Sequence, residues 1–70
     1  MQEIKIKTDS INLDQFLKWA NLVSTGGEAK IIIQAGKVIV NGEVEKKRGK
    51  TLQKGDIVKY NNTSYKITSS

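Results

Sequence analysis

Apolar residues in the first third of the chain recur at helical spacing. The positions i, i+3, i+4 and i+7 of one helix face are held by Leu13, Phe16, Leu17 and Ala20. Asn12 precedes this face as a predicted N-cap, and Gln15 stands at the distance of a capping box. The pattern therefore predicts a helix that begins after Asn12 and buries one side.

A second helical face follows a pair of glycines. Thr25 and Glu28 have capping-box spacing around Gly26 and Gly27, and Gly36 is a predicted left-handed stop. The apolar residues between these signals are Ala29, Ile32, Ile33 and Ala35, with Ile31 at the border of the face. Because neither short helix can bury its face alone, we expect the two helices to pack together.

Elsewhere the apolar period is 2, which is typical of half-buried strands. The ranges with this alternation are 3–7, 38–40, 57–60 and 64–68, and Val44 is expected to point inward. Asn41-Gly42 is a favoured two-residue hairpin turn, and a second turn is expected at Asn61-Asn62. The predicted fold class is α+β, with two packed short helices against a small, mostly antiparallel sheet in a single domain, 1–70.

The composition argues against several classes of function. The chain has no cysteine and no histidine, so it cannot form a disulfide or assemble the usual zinc ligands. It also lacks the side chains that most often catalyse reactions at neutral pH. Glu43 and Glu45 share one strand face, but solvated charges are the favoured interpretation. We therefore expect no enzymatic activity, cofactor, metal or small-molecule substrate.

The longest purely apolar run, Ile31-Ile32-Ile33, is far too short to span a membrane. The first residues, Met1–Lys5, contain no apolar stretch that resembles a secretion signal. We therefore expect a cytoplasmic protein with no membrane partner.

Net charge and the glycine pair together indicate a polyanionic partner. The chain has 12 Lys+Arg against 7 Asp+Glu, a net charge of +5, which favours nucleic acid first. Gly26 and Gly27 would leave the first N–H groups of the second helix uncovered, and Lys30 would add a charge one turn later. The alternative is an ordinary turn in which glycine serves only the backbone geometry.

A basic cluster follows the Asn41-Gly42 turn. Its cations are Lys46, Lys47, Arg48 and Lys50. On an exposed loop, each contact between such a cation and a phosphate steepens the salt dependence of binding. The alternative is a solvated loop that keeps the protein soluble. Together with Lys18, Lys30 and Lys37, the cluster favours nucleic-acid binding, provided that the fold gathers these lysines around the beginning of the second helix.

Trp19 has two interpretations. It flanks the first helical face, where a half-buried core role is favoured, and the alternative is stacking on an unpaired base. With so few aromatic residues, we expect the protein to read the shape of a nucleic-acid backbone rather than a series of stacked bases.

Four segments in this order resemble the ribosomal protein S4-type RNA-binding domain family. They are Leu13–Leu17, Gly27–Lys30, Gly36–Gly42 and Gly55–Val58, and the likeness runs from about residue 11 to residue 59. The chain is most similar to the small, stand-alone bacterial members of the YaaA type. The resemblance implies an αL-type RNA-binding fold that binds structured RNA. It further implies ribosomal RNA as the partner, during maturation of the large subunit, and we expect a monomer.

The resemblance also implies an RNA-facing set of residues, which comprises Lys18, Thr25, Gly26, Gly27, Lys30, Lys37 and Asn41. Many family members have an arginine where Asn12 stands and a Ser-Arg-Ser-like run where Thr25-Gly26-Gly27 stands. We expect the loop at 46–50 to supply the missing cations.

Two other functions stay open from the sequence. The second half is also similar to small ubiquitin-like sulfur carriers, but those end in Gly-Gly and this chain ends in Ser69-Ser70. That likeness leaves a small protein-interaction adaptor as one alternative. A duplex DNA binder is less favoured, because Lys30 and Gln34 offer little to read in a major groove.

Overall fold

Two helices and seven strands are present in residues 1–69, the part of the chain that the computed structural model describes. In chain order they are β1 (Gln2–Ile6), β2 (Ser10–Asn12), α1 (Leu13–Trp19), α2 (Gly26–Gln34), β3 (Val38–Val40), β4 (Glu43–Val44), β5 (Thr51–Gln53), β6 (Ile57–Tyr60) and β7 (Thr63–Ser69). Within that range, neither helix has the length and apolar character needed to cross a membrane.

Five of these strands form one sheet in the order β1-β7-β6-β3-β4. β1 runs parallel to β7, and all the other neighbours in this sheet are antiparallel. β2 and β5 form a separate antiparallel pair in which Ile11 lies opposite Leu52. The predicted α+β class, with two helices and a mostly antiparallel sheet, is confirmed, whereas the β2–β5 pair was not predicted.

The core joins the apolar faces of both helices to one face of the five-stranded sheet. The helices bury Leu13, Phe16, Leu17, Ala29, Ile32 and Ile33, and the strands of this sheet bury Ile6, Val38, Val40, Val58, Tyr65 and Ile67. Side chains alternate along a strand, so Lys5, Lys59 and Lys66 lie on the opposite side of the sheet, here called the outer face. The positive charge of the molecule is therefore not confined to the helical side.

Two residues that were predicted to face inward are exposed. Ala35 is the C-cap of α2 and precedes Gly36, whose φ of 77° ends the helix, so Ala35 lies beyond the last buried turn. Val44 is 54% exposed because the hairpin register pairs it with Ile39, on the strand face opposite to the buried Val38 and Val40. The apolar periodicity alone shows neither where the packed surface of α2 ends nor which face of β4 is buried.

Both predicted hairpin turns form with left-handed backbone. Asn41 and Gly42 have φ values of 50° and 86°, and Asn61 and Asn62 have φ values of 56° and 65°. Turns with two positive φ angles match the twist of the strands that they join, and asparagine and glycine adopt such angles most readily. These turns set the β3–β4 and β6–β7 pairings.

The first turn of α1 is capped by a distant loop. Asn12 is the N-cap residue, as predicted, but its side chain makes no cap hydrogen bond. Instead, the N–H of Leu13 donates to the carbonyl of Lys50 at 2.8 Å, and the N–H of Asp14 donates to the carbonyl of Arg48 at 3.0 Å. The basic loop is therefore fixed to α1 through its own backbone.

Candidate nucleic-acid interface

The beginning of α2 is held by reciprocal capping. The Thr25 Oγ1 atom accepts from the N–H of Glu28 at 3.1 Å, as the capping-box spacing predicted. The Glu28 carboxylate reaches back and accepts from the N–H of Ser24 at 2.7 Å. These two bonds fix the entry of the chain into the helix, and they occupy the carboxylate nearest to the glycine pair.

The amides of Gly26 and Gly27 have no acceptor among residues 1–69. The intrahelical ladder begins with the bond from the Ala29 N–H to the Thr25 carbonyl. A Cβ atom on Gly26 would meet nothing within 4 Å, and one on Gly27 would meet only Thr25 Oγ1, at 3.9 Å. Neither glycine has a positive φ, so the backbone does not require glycine here. The glycines instead leave two N–H groups accessible at the positive end of the helix dipole.

Lys30 and Lys18 add positive charge to this region. Lys30 follows Gly26 by four residues and Gly27 by three, so it projects from the same side of α2, and it is exposed. Lys18 is exposed in the last turn of α1, which packs against α2. We call Lys18, Thr25, Gly26, Gly27 and Lys30 the helix-start patch.

The basic loop lies at the other end of α2. A Cβ atom on Gly36, just beyond the C-cap of α2, would be 3.8 Å from Cε of Lys46. Lys37 follows Gly36 directly and is exposed. The Lys50 N–H donates to the Lys47 carbonyl at 3.1 Å, which closes a turn. We call the five exposed cations of this region the loop patch, and they are Lys37, Lys46, Lys47, Arg48 and Lys50.

The prediction that all these cations gather around the beginning of α2 does not hold for Lys46, which lies beside Gly36 at the other end of the helix. α2 has nine residues and is about 13 Å long, so the Gly26-Gly27 pair and Lys46 lie near opposite ends of it. The loop is drawn to the far end because its carbonyls cap α1 and because Lys46 packs beside Gly36. The result is a surface with two cationic areas rather than one.

The side chain of Asn41 is already used by the fold. Its Nδ2 group donates to Asp56 Oδ1 at 3.2 Å, and its Oδ1 atom accepts from the N–H of Ile57 at 2.9 Å. These bonds join the β3–β4 turn to the beginning of β6. Each end of the Asn41 amide thus makes one bond within the fold, and the predicted RNA contact would have to use the second Nδ2–H or the second Oδ1 lone pair at this exposed position.

Replacing Asn41 by alanine should lower the free energy of unfolding by about 1 to 2 kcal/mol. Alanine loses both side-chain bonds and tolerates the φ of 50° poorly. Urea unfolding of Asn41→Ala, with Asn41→Gly as the control that tolerates the angle, measures the two costs separately. RNA affinity of the folded variants should be unchanged, and a several-fold loss in Asn41→Gly would assign Asn41 to the interface after all.

Lys59 was not among the site residues predicted from the sequence. An open groove of about 440 Å³ on the outer face is lined by Lys37, Ile39, Lys59, Tyr60 and the Asn61-Asn62 turn. The strand alternation in the sequence could have identified it. Lys59 follows the buried Val58, so its side chain faces away from the core. Lys37, a member of the loop patch, thus shares this groove with Lys59 on the outer face.

Trp19 is more open than a core residue. Its side chain is 53% exposed, and the favoured interpretation as a half-buried member of the core is corrected. The indole Nε1–H donates to the carbonyl of Lys5 at 2.8 Å. The ring is therefore fixed in orientation while much of its surface faces solvent.

The chain is similar in sequence to a known domain family and to a known protein, and similar in fold to a solved structure. A model of the S4 domain matches residues 4–68. The probable ribosome maturation protein RlbA of Bacillus subtilis (strain 168) is 44% identical over 55 residues, which cover 79% of this chain and 78% of that protein. The crystal structure of the 30S ribosomal protein S4e from Thermoplasma acidophilum superposes with a TM-score of 0.64 over 86% of this chain, at 23% identity. This chain spans 32% of that ribosomal protein, and the likeness concerns the fold.

Proposed function

Because the chain belongs to the S4 domain family, a family of non-catalytic RNA-binding domains, we propose that it binds structured ribosomal RNA during maturation of the large ribosomal subunit. The proposal for ribosomal RNA is supported by the 44% identity to a protein named for ribosome maturation. We further propose that it acts as one domain, as a monomer, in the cytoplasm. A single species of 7.8 kDa in light scattering would support the monomer.

The accessible amides at the beginning of α2 are the observation that carries the proposal. Phosphate oxygens accept hydrogen bonds, and a helix N-terminus with two unpaired N–H groups offers donors and partial positive charge together. Lys30 on the same side of α2 supplies a full charge at this point. The missing side chains of Gly26 and Gly27 allow a phosphate to approach the backbone closely.

The loop patch provides the second area of contact. Nucleic-acid backbones carry closely spaced charges, so one RNA strand or duplex edge can reach cations at both ends of a helix about 13 Å long. The aromatic residues are few, and Phe16 and Tyr65 are buried. Binding through the shape and phosphates of folded RNA, rather than through stacking along a single strand, fits this surface.

Crosslinking in cells, followed by sequencing of the attached RNA, tests the proposed target. We expect enrichment of a discrete segment of large-subunit ribosomal RNA. Recovery of RNA no higher than the background would contradict RNA binding and favour a protein-interaction adaptor. Competition between a structured ribosomal RNA fragment and duplex DNA at physiological salt addresses the other alternative, and a preference for the DNA would overturn the proposal.

A further inference from the structure

Trp19 is held as a rigid, open surface at the junction of α1 and β1. It is the last residue of α1, and its one hydrogen-bond donor is satisfied by the carbonyl of Lys5 at 2.8 Å. The ring therefore cannot turn freely, yet 53% of the side chain is exposed. Removing the apolar surface of a tryptophan ring from water lowers the free energy, so binding of another group over the exposed ring is favourable.

A groove of about 320 Å³ adjoins this ring. Its apolar wall combines Ile6, Ile11 and Trp19, and Gln15 lies along the same side of α1. Ile6 is buried and Ile11 is half-buried, so the wall is continuous with the core. Lys7 lies at the rim. The groove thus joins an aromatic face to one amide and one cation.

We propose that this groove takes one unpaired nucleobase of the bound RNA, stacked on the indole of Trp19. A nucleobase has two apolar faces and a polar edge. The indole and isoleucine surfaces suit the faces, and the Gln15 amide offers both a donor and an acceptor for the edge. Lys7, which also lines the groove, suits a flanking phosphate. This inference rests on the proposed RNA binding and adds a base contact to it.

Tryptophan fluorescence gives a direct test, because Trp19 is the only tryptophan in the chain. Two RNAs with the same stem serve as probes: a hairpin whose loop contains unpaired adenines, and a fully paired duplex. Stacking should quench or shift the Trp19 emission at saturation with the hairpin but not with the duplex. Anisotropy of a dye on the RNA follows binding independently of Trp19.

The two measurements separate the possible failures. If neither RNA raises the anisotropy, the proposed function fails. If the hairpin binds while the emission of Trp19 is unchanged, RNA binding stands and the base site is overturned. Quenching of equal size by the duplex would also overturn it, because a duplex presents no free base.

Substitution at Trp19 provides a second readout. Stacking on one aromatic side chain contributes about 1–3 kcal/mol per base, so Trp19→Leu should weaken hairpin binding roughly 5- to 150-fold while leaving duplex binding nearly unchanged. Trp19 is exposed and is not a member of the buried core, so leucine at this position should preserve the fold. Trp19→Phe keeps a ring but loses the bond to the Lys5 carbonyl, and it should retain most of the preference for the hairpin. If Trp19→Leu weakens the affinity for the hairpin and for the duplex equally, Trp19 has only a structural role and the base site is overturned.

Discussion

Alanine at Lys46, Lys47, Arg48 and Lys50 is expected to weaken binding to ribosomal RNA roughly a hundredfold at physiological salt and to flatten its salt dependence. Each cation that meets a phosphate contributes about 0.7 to 0.9 to the slope of log affinity against log salt. Contact by four to six cations gives a slope of roughly −3 to −5, and removal of four should reduce its magnitude by about 3. Titrations of labelled RNA at several salt concentrations measure both effects.

The fold should survive these four substitutions. The loop is attached to α1 by the carbonyls of Lys50 and Arg48, and alanine keeps both carbonyls. Circular dichroism and the unfolding midpoint should therefore change little. A fall in affinity that accompanies lost structure would say nothing about RNA contacts, so the stability measurement is part of the test.

A matched pair of double variants separates position from net charge. Lys46→Ala with Arg48→Ala removes two charges from the loop patch, whereas Lys5→Ala with Lys66→Ala removes two from the outer face. Both change the net charge from +5 by the same amount. We expect the first double variant alone to lower the slope strongly. Equal slopes would assign the effect to overall charge and contradict a defined loop contact.

Alanine at Gly26 and Gly27 is expected to stabilise the protein while weakening RNA binding about tenfold or more. A Cβ atom fits at both positions, and neither φ is positive, so alanine gains helix propensity without strain. Such replacements stabilise by roughly 0.4–1 kcal/mol each. The added methyl groups stand over the N–H groups that the RNA phosphate would approach. Urea unfolding and RNA titration of one double variant measure the opposite changes.

A charge-matched comparison sharpens this prediction. Gly27→Glu places a negative charge at the beginning of α2, where the helix dipole tolerates it, and Gln2→Glu places the same charge on β1. We expect Gly27→Glu to reduce RNA affinity far more than Gln2→Glu. If alanine at both glycines leaves the affinity intact, the glycines serve only the turn between the helices, and the helix-start patch is not a phosphate site.

Local signals predicted the helices and both hairpin turns, because the responsible interactions lie within a few residues. The spacing of Phe16 and Leu17 and the Asn41-Gly42 pair are signals of this kind. The β2–β5 pair depends on Ile11 meeting Leu52, far apart in the chain and without long alternating runs. Such pairing follows from tertiary packing, and short strands carry too few residues to reveal it.

The residues of the candidate surface were easier to predict than their arrangement. The capping box and glycine pair of α2 follow from residue types, and the structure has them as predicted. The loop patch lies at the far end of α2, and not at its beginning as predicted, because two carbonyl groups of the loop cap α1. Every residue has a backbone carbonyl, so the side-chain types along the sequence do not show which carbonyls will cap a helix. Trp19 likewise depends on a bond to the backbone of β1 that no local pattern encodes.

Amide NMR spectra of the protein titrated with a structured ribosomal RNA fragment test the central claim most directly. We expect the largest shifts at Gly26, Gly27 and residues 46–50, and nearly unchanged signals on the outer face around Lys66. Shifts centred on the outer face, or RNA binding that leaves the signals of both glycines in place, would contradict it.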